Sequence, residues 1–327
     1  MTAQQKTILE EIRRATRMVF ERDKNALLQR LSDTNCRHAV HALEFAEPYH
    51  QGFRRDGATP SFQHQVTIAL QASKALFPNR ELPNELASRV GFDIDNALAI
   101  IILHDTPEDN PRITREKLAR KFNERIADVA YILNKNDPSG TAMPNPQYYA
   151  RTRTEPESML AKPFDKLNNI ETMFHLASDD PRKPANGPAK YFLEGFQFYT
   201  AFVSPITDSQ IEASKRECLQ LLHGSHLVQT PLAHIRETLD ISRTLIQYIA
   251  NNPSDLEGFT DFREQFANAR GRGIYTYPEL VAMMASGKAQ RIAAEFIKAG
   301  IISQPAPTPN RAGEALQRPK GAALIAA

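Results

Sequence analysis

Apolar residues recur at intervals of three and four along most of the chain, a spacing that predicts amphipathic helices. Residues 5–32 begin the pattern, with Ile8, Ile12 and Leu31 among the apolar positions, and one or two helices are expected there. The same spacing predicts helices over residues 36–49, 61–77, 95–104, 123–134 and 158–177, with a further helix opening at Thr114. Ser61 is the expected N-cap of the helix over 61–77, and a loop with Pro138, Gly140, Pro144 and Pro146 is expected before the helix over 158–177. Later helices are predicted near residues 189–203, 208–223, 231–251 and 277–299. We therefore predict an all-α fold.

Clusters of proline, glycine and polar residues divide this helical pattern into regions. The strongest internal break is the proline-rich segment 178–188. The last residues of the chain are rich in Pro, Ala and Gly, a composition typical of flexible tails. We predict four regions: an N-terminal helical extension over 1–35, a domain over 36–180, an accessory helical region over 189–300 and a flexible tail over 304–327.

Charge and composition exclude several classes of function. The chain has 40 Lys and Arg against 38 Asp and Glu, a net charge of +2, so no stable nucleic-acid partner is expected. Its longest apolar run, residues 97–103, is far shorter than the about 18 residues that span a bilayer, so no membrane partner is expected. Cys36 and Cys218 form no CxxC motif, which excludes a disulfide scaffold and fits a reducing cytoplasm. The sequence leaves open whether the chain forms a homo-oligomer.

The most hydrophobic predicted helix ends in a His-Asp pair, and this is the first candidate for chemistry. We expect Asp95 to cap that helix, which runs into His104 and Asp105. An imidazole nitrogen beside a carboxylate suits a divalent first-row metal. Pro107 is expected to stop the helix, placing Glu108 and Asp109 on a loop where they suit acid–base work beside the metal. The alternative is an acidic helix end that is simply solvated.

Two further stretches carry candidate ligands. His64 lies near the start of a predicted helix, where a lone His is more often structural than a ligand. In the helix over 158–177, Lys162, Asp165, Asn169 and Thr172 follow one another at i, i+3, i+7 and i+10. This spacing places them on one face, beside the apolar stripe. Such small polar side chains suit metal and ligand contacts better than a generic solvated face, which remains the alternative.

Taken in chain order, these stretches resemble the HD superfamily of metal-dependent phosphohydrolases. Residues 50–64 (HQGFRRDGATPSFQH), 103–109 (LHDTPED) and 162–172 (KPFDKLNNIET) are similar to motifs of the hydrolase domain of RelA/SpoT-type enzymes. Those enzymes remove the 3′-pyrophosphate from the alarmone (p)ppGpp. Lys135 matches a further position of that pattern, and the resemblance covers residues 40–177. It implies an HD-domain helical bundle with additional C-terminal helices.

The resemblance also implies a role for each matched residue. The implied metal ligands, for Mn²⁺ or another divalent first-row metal, are His64, His104, Asp105 and Asp165. Glu108 and Asp109 would position or deprotonate the attacking water. The implied contacts to a small-molecule nucleotide substrate are Arg54, Arg55, Lys162, Lys166, Asn169 and Thr172.

Two residues depart from the family pattern close to the implied substrate. Asn168 stands where the family usually has His, and Glu171 stands where it usually has Arg. The alternatives are therefore a different nucleotide, such as (p)ppApp, or a non-catalytic nucleotide-binding or antitoxin-like protein. No second half resembling an alarmone synthetase follows, so a hydrolase-only enzyme is implied.

Overall fold

The protein is described here by a computed structural model. It describes residues 3–54, 57–79, 92–136, 140–172, 191–192, 194–195, 198, 226–251, 294, 297–298 and 303–304. Within these residues the fold is all-α, as predicted, with two isolated β-bridges and no strand. The α-helices are α1 (Ala3–Asp33), α2 (Arg37–Ala46), α3 (Gln63–Leu76), α4 (Ile94–Leu103), α5 (Thr106–Asp109), α6 (Arg115–Lys121), α7 (Glu124–Leu133), α8 (Asn145–Thr152), α9 (Pro156–Glu171) and α10 (His226–Asn251). A 3₁₀ turn, Glu47–Tyr49, follows α2.

Helix α4 forms the centre of the fold. All its residues from Ala97 to Leu103 are fully buried, because α2, α3, α7 and α9 pack around it. A helix that is apolar on every face is stable in water only when it is enclosed in this way. Each fully buried Leu or Ile side chain contributes about 1.5–3 kcal/mol to the free energy of folding. The enclosure of α4 also places His104, which follows it, in the interior, with the half-buried Asp105 next to it.

The N-terminus of α4 differs from the prediction. Asp93, not Asp95, caps this helix, since its side chain accepts a hydrogen bond from the Asn96 N–H at 2.8 Å. Asp95 instead accepts hydrogen bonds from the backbone N–H groups of His38 and Ala39, at 2.9 and 2.8 Å. Its carboxylate therefore satisfies the free N–H groups at the start of α2 and ties α2 to α4.

The predictions for the other helix starts are confirmed in part. The helix starts predicted at Thr114 and Asn123 are confirmed, and both side chains cap their helices, α6 and α7, by accepting a hydrogen bond from the backbone N–H three residues further on. Helix α3 begins at Gln63 without a side-chain cap, whereas Ser61 was the expected cap. Helix α8 lies where only a proline-rich loop was predicted. Its prolines lie at the helix start, where a missing N–H and a fixed φ are tolerated.

The C-terminal part is described only in pieces. Helix α10 covers the predicted span 231–251, begins five residues earlier, and packs on α9. Residues 173–177, the boundary at 178–188, the helix at 208–223 and the tail beyond 304 lie outside the described residues, as do most residues of the helices at 189–203 and 277–299. Among the helices that the structure describes, none is long and apolar enough to cross a membrane.

Candidate metal centre

Three helices bring four potential metal ligands together. The first turn of α3 carries His64, the end of α4 leads into His104 and Asp105, and α9 carries Asp165. His64, His104 and Asp165 are buried, each about 5 % exposed or less, and Asp105 is half-buried. Residues more than 100 positions apart in the sequence therefore share one site.

The donor atoms of these residues face one another at short range. His64 Nε2 lies 3.3 Å from His104 Nε2, 3.6 Å from Asp105 Oδ2 and 3.3 Å from Asp165 Oδ1. His104 Nε2 lies 3.0 Å from Asp105 Oδ2 and 3.7 Å from Asp165 Oδ1. Ligand atoms bound about 2.1 Å from one ion and about 90–110° apart lie about 3.0–3.4 Å from each other. The spacing of His64, His104 and Asp105 therefore fits a single divalent cation, and Asp165 lies at a similar distance from the two imidazoles.

The outer nitrogens of the two imidazoles are both engaged by acceptors. His104 Nδ1 lies 2.8 Å from the Ile101 carbonyl oxygen, which can only accept, so Nδ1 carries the proton. His64 Nδ1 lies 2.7 Å from Asn168 Oδ1 and donates in the same way. In the neutral rings, both Nε2 atoms then present lone pairs to the site. An acceptor on the outer nitrogen is the usual arrangement behind a metal-binding His.

Such a cluster is electrostatically unfavourable without a positive charge. Two Nε2 lone pairs and two carboxylates would repel one another in a partly desolvated site. Burial alone would lower the pKa of His104, but the carboxylates of Asp105 and Asp165 raise it to about 10. The site thus favours either a proton on His104 or a cation among the four side chains. The ligand atoms that lie within 4.8 Å of one another belong to His64, His104 and Asp105, and Asp165 is not part of that group.

Asp165 is itself held by two neighbours on α9. Lys162 Nζ donates to Oδ2 at 2.7 Å, and Asn169 Nδ2 donates to Oδ1 at 2.6 Å. Burial opposes ionisation of both Asp165 and Lys162, yet their mutual attraction lowers the pKa of Asp165 and raises that of Lys162. The pair is therefore fully charged, and its geometry aims Oδ1 of Asp165 at the imidazoles.

Glu108 and Asp109 lie on a helical turn rather than on the expected loop. Pro107 does not stop a helix here; α4 ends before it, and Pro107 lies in the first turn of α5. Glu108 Oε2 accepts a hydrogen bond from the Lys135 backbone N–H at 3.0 Å. Partial burial, followed by the nearby charge of Asp105, raises the pKa of Glu108. A carboxyl group with a raised pKa beside a polar cavity is suited to proton transfer.

His50 contacts the same turn, although the sequence suggested no role for it beyond its place in the family motif. Its Nδ1 lies 3.4 Å from Asp109 Oδ2, and its Nε2 lies 3.1 Å from Thr106 Oγ1. The buried His50 ring stacks on Phe62, with ring centroids 5.6 Å apart. His50 therefore fixes the position of α5 and contacts the carboxylate of Asp109.

A cavity of about 400 Å³ opens beside the cluster. This volume falls within the range of about 300–1,000 Å³ typical of small-ligand sites. Its walls are mainly polar and are formed by His50, Phe53, Arg54, Ser61, His64, Gln65, Asp105, Glu108, Asp109, Lys135, Tyr148, Lys162, Asp165, Lys166, Asn169, Tyr191 and Glu194.

The expected substrate contacts are distributed unevenly around this cavity. Its walls include Arg54, Lys162, Lys166 and Asn169. Thr172 is not among the lining residues, and its hydroxyl donates to the Asn168 carbonyl oxygen at 2.7 Å within α9. Arg55 lies outside the described residues.

Asn168 and Glu194 are two polar neighbours of the site to which the sequence assigned no role. Asn168 lies one helical turn after Asp165, and that spacing alone places both on one face of α9. Glu194 comes from the stretch beyond residue 190, and no pattern in the sequence associates it with the motifs. Lys135 was identified only through the resemblance.

Comparisons with protein-family models, with curated proteins and with solved structures find no match to this chain. The functional inference therefore rests on the geometry of the site for its chemistry and on the sequence resemblance for its substrate.

An Asn168→Leu variant tests the support of His64. Loss of the acceptor frees the imidazole to rotate or change tautomer, and we expect a decrease in Mn²⁺ affinity of about 10- to 100-fold. Calorimetric titration with Mn²⁺ measures the change. Asn96→Leu, which removes the acceptor of a distant Asn123–Asn96 hydrogen bond, is the control. Equal Mn²⁺ affinity in the Asn168 variant and the wild type would show that this hydrogen bond does not orient His64.

Proposed function

We propose that this chain is a divalent-metal-dependent phosphohydrolase that removes the 3′-pyrophosphate from (p)ppGpp-like nucleotides, acting in the cytoplasm. The observation that carries the proposal is that two imidazole Nε2 atoms lie 3.3 Å apart and that one carboxylate oxygen each of Asp105 and Asp165 lies 3.0–3.7 Å from both of them. Nitrogen and oxygen donors in this combination suit Mn²⁺ and its first-row neighbours. The cavity beside these donors adds room for a substrate.

Four residues would hold the cation: His64, His104, Asp105 and Asp165. When bound, a divalent ion lowers the pKa of water and stabilises negative charge on phosphoryl oxygens. Asn168 and the Ile101 carbonyl keep the two imidazoles in the tautomer that offers Nε2.

Glu108 accepts the proton of the attacking water in this proposal. Its Oε2 is engaged by the Lys135 N–H, which leaves Oε1 as the base. Its raised pKa brings the carboxylate closer to the range in which a general base is efficient at neutral pH. Asp109, in contact with His50, orients that water on the exposed side of α5.

The charge of the cavity supports a phosphorylated substrate. Among the lining residues, the cations are Arg54, Lys135, Lys162 and Lys166. The carboxylates are Asp105, Glu108, Asp109, Asp165 and Glu194. A divalent cation changes the formal balance of these groups from −1 to +1, so the bound metal strengthens the attraction of the cavity for an anionic ligand.

A nucleotide panel tests this function directly. We expect purified protein with Mn²⁺ to release pyrophosphate from ppGpp, with no release when EDTA replaces the metal. Phosphate and pyrophosphate release from ppGpp, ppApp, GTP, ATP and GDP distinguishes the alarmone from other nucleotides. No release from any of them with Mn²⁺, Mg²⁺, Co²⁺ or Zn²⁺ would contradict the proposal.

A further inference from the structure

One wall of the cavity is supplied by residues beyond the region of family resemblance. Tyr191 and Glu194 line it together with residues of the earlier helices. The Glu194 carboxylate lies 3.7 Å from Lys135 Nζ and 3.6 Å from Lys166 Nζ. Its side chain is 13 % exposed, so this negative charge is largely enclosed with the two ammonium groups.

Close packing holds this wall against α9. A Cβ atom at Gly195 would lie 2.4 Å from Ile170 Cδ1, and Ile170 is fully buried. Any larger residue at this point would therefore require the buried Ile170 side chain or the local backbone to shift. Tyr149 adds a hydrogen bond of 3.4 Å from its hydroxyl to the Glu194 carbonyl oxygen. The position of the Glu194 carboxylate is thus a consequence of the fold.

The contacts between Glu194 and the two lysines are longer than direct hydrogen bonds. Separations of 3.6 and 3.7 Å exceed the about 2.7–3.2 Å of a good N–H···O bond. Lys166 is buried, and a buried ammonium group needs an anion nearby. Asp165, on the same helix, stabilises the charge of Lys166 more strongly than Glu194 does, and it also accepts hydrogen bonds from Lys162 and Asn169. Glu194 is therefore a second anion beside Lys166 and a neighbour of Lys135, whose Nζ also donates to Asn145 Oδ1 at 2.6 Å. A phosphoryl oxygen could approach the two ammonium groups more closely than this carboxylate does.

We propose that Lys135 and Lys166 form a subsite for a second phosphoryl group of the substrate, and that Glu194 competes with this group for the two lysines. This assignment rests on the proposed function for the identity of the substrate, a nucleotide phosphorylated at two positions. One phosphoryl group reaches the metal centre, and the other replaces Glu194 beside the lysines. A phosphoryl group carries up to two negative charges, so it displaces a carboxylate where a singly charged or neutral group does not.

Binding of inorganic pyrophosphate to the full chain in EDTA tests the subsite without metal or turnover. We expect Glu194→Gln to bind pyrophosphate about tenfold more tightly than wild type, because a competing charge is removed from about 4 Å away. Lys135→Met should bind it about tenfold more weakly. Glu47→Gln removes the carboxylate of the distant Lys24–Glu47 ion pair and should leave pyrophosphate affinity unchanged. Calorimetry at constant ionic strength measures all four affinities.

The possible failures of the two proposals are distinguishable. Equal pyrophosphate affinity in Glu194→Gln and wild type overturns the subsite, even if the wild type hydrolyses ppGpp. Tighter binding by Glu194→Gln and weaker binding by Lys135→Met support the subsite, even if no nucleotide in the panel is hydrolysed. Where hydrolysis is observed, Glu194→Gln should lower KM about tenfold for a nucleotide phosphorylated at two positions and much less for GTP. An equal change in KM for both also overturns the assignment.

Discussion

An Asp105→Asn variant is expected to bind Mn²⁺ at least about 100-fold more weakly than wild type and to hydrolyse nucleotide about 10³-fold more slowly. Asp105 Oδ2 lies 3.0 Å from His104 Nε2 and 3.6 Å from His64 Nε2, so it belongs to the closest group of donors. The amide has the same shape but no negative charge. Loss of about 4 kcal/mol of charge stabilisation in the transition state corresponds to that decrease in rate.

The measurements for this variant separate folding from metal binding. Asp105 is half-buried and lies outside the apolar core, so the helical circular dichroism should match that of wild type. Asp128→Asn, which removes a carboxylate of the surface pair with Arg115, is the matched control and should retain metal affinity and activity. If Asp105→Asn retained Mn²⁺ affinity within about threefold of wild type, the proposed metal centre would be wrong.

Most of the helical fold follows from the spacing of apolar residues. The continuous apolar run of α4 predicts a helix enclosed on all sides, and the structure packs four helices around it. The errors arise where local chemistry has more than one solution. Asp93 and Asp95 are both good capping residues, and only the packing of α2 beside α4 determines which helix each one caps. The prolines at the start of α8 are compatible with either a loop or the first turn of a helix.

The candidate site divides in the same way between local and long-range information. The donor types of His104, Asp105 and Asp165 follow from the sequence, and their grouping with His64 was expected from the resemblance. Their distances depend on how α3 and α9 pack on α4, which no local pattern determines. Asn168 is accessible to sequence reasoning because it lies one turn from Asp165. Glu194 is not, since its place beside Lys166 requires the close approach at Gly195.

Glu108 provides the second test with a large expected effect, because it separates catalysis from metal binding. Glu108 lines the cavity but lies outside the group of four donors, so Glu108→Gln should retain the Mn²⁺ affinity of wild type. We expect kcat for nucleotide hydrolysis to decrease about 10²- to 10⁴-fold, the usual loss when a general base is removed. The amide oxygen can still accept from the Lys135 N–H, so the turn that carries it should remain in place.

The comparison with Asp109→Asn makes the assignment of the base specific. Asp109 is more exposed, with 57 % of its side chain accessible, and its contact is with the His50 imidazole. Replacing a residue that orients the water without removing its proton should lower kcat less than replacing the base. We therefore expect Asp109→Asn to lower kcat only about tenfold. Single-turnover kinetics at saturating Mn²⁺ measure both variants. If kcat fell further in Asp109→Asn than in Glu108→Gln, Asp109 would be the base and Glu108 the residue that orients the water. The reason is that an amide cannot accept the proton, so the larger decrease in kcat marks the carboxylate that does.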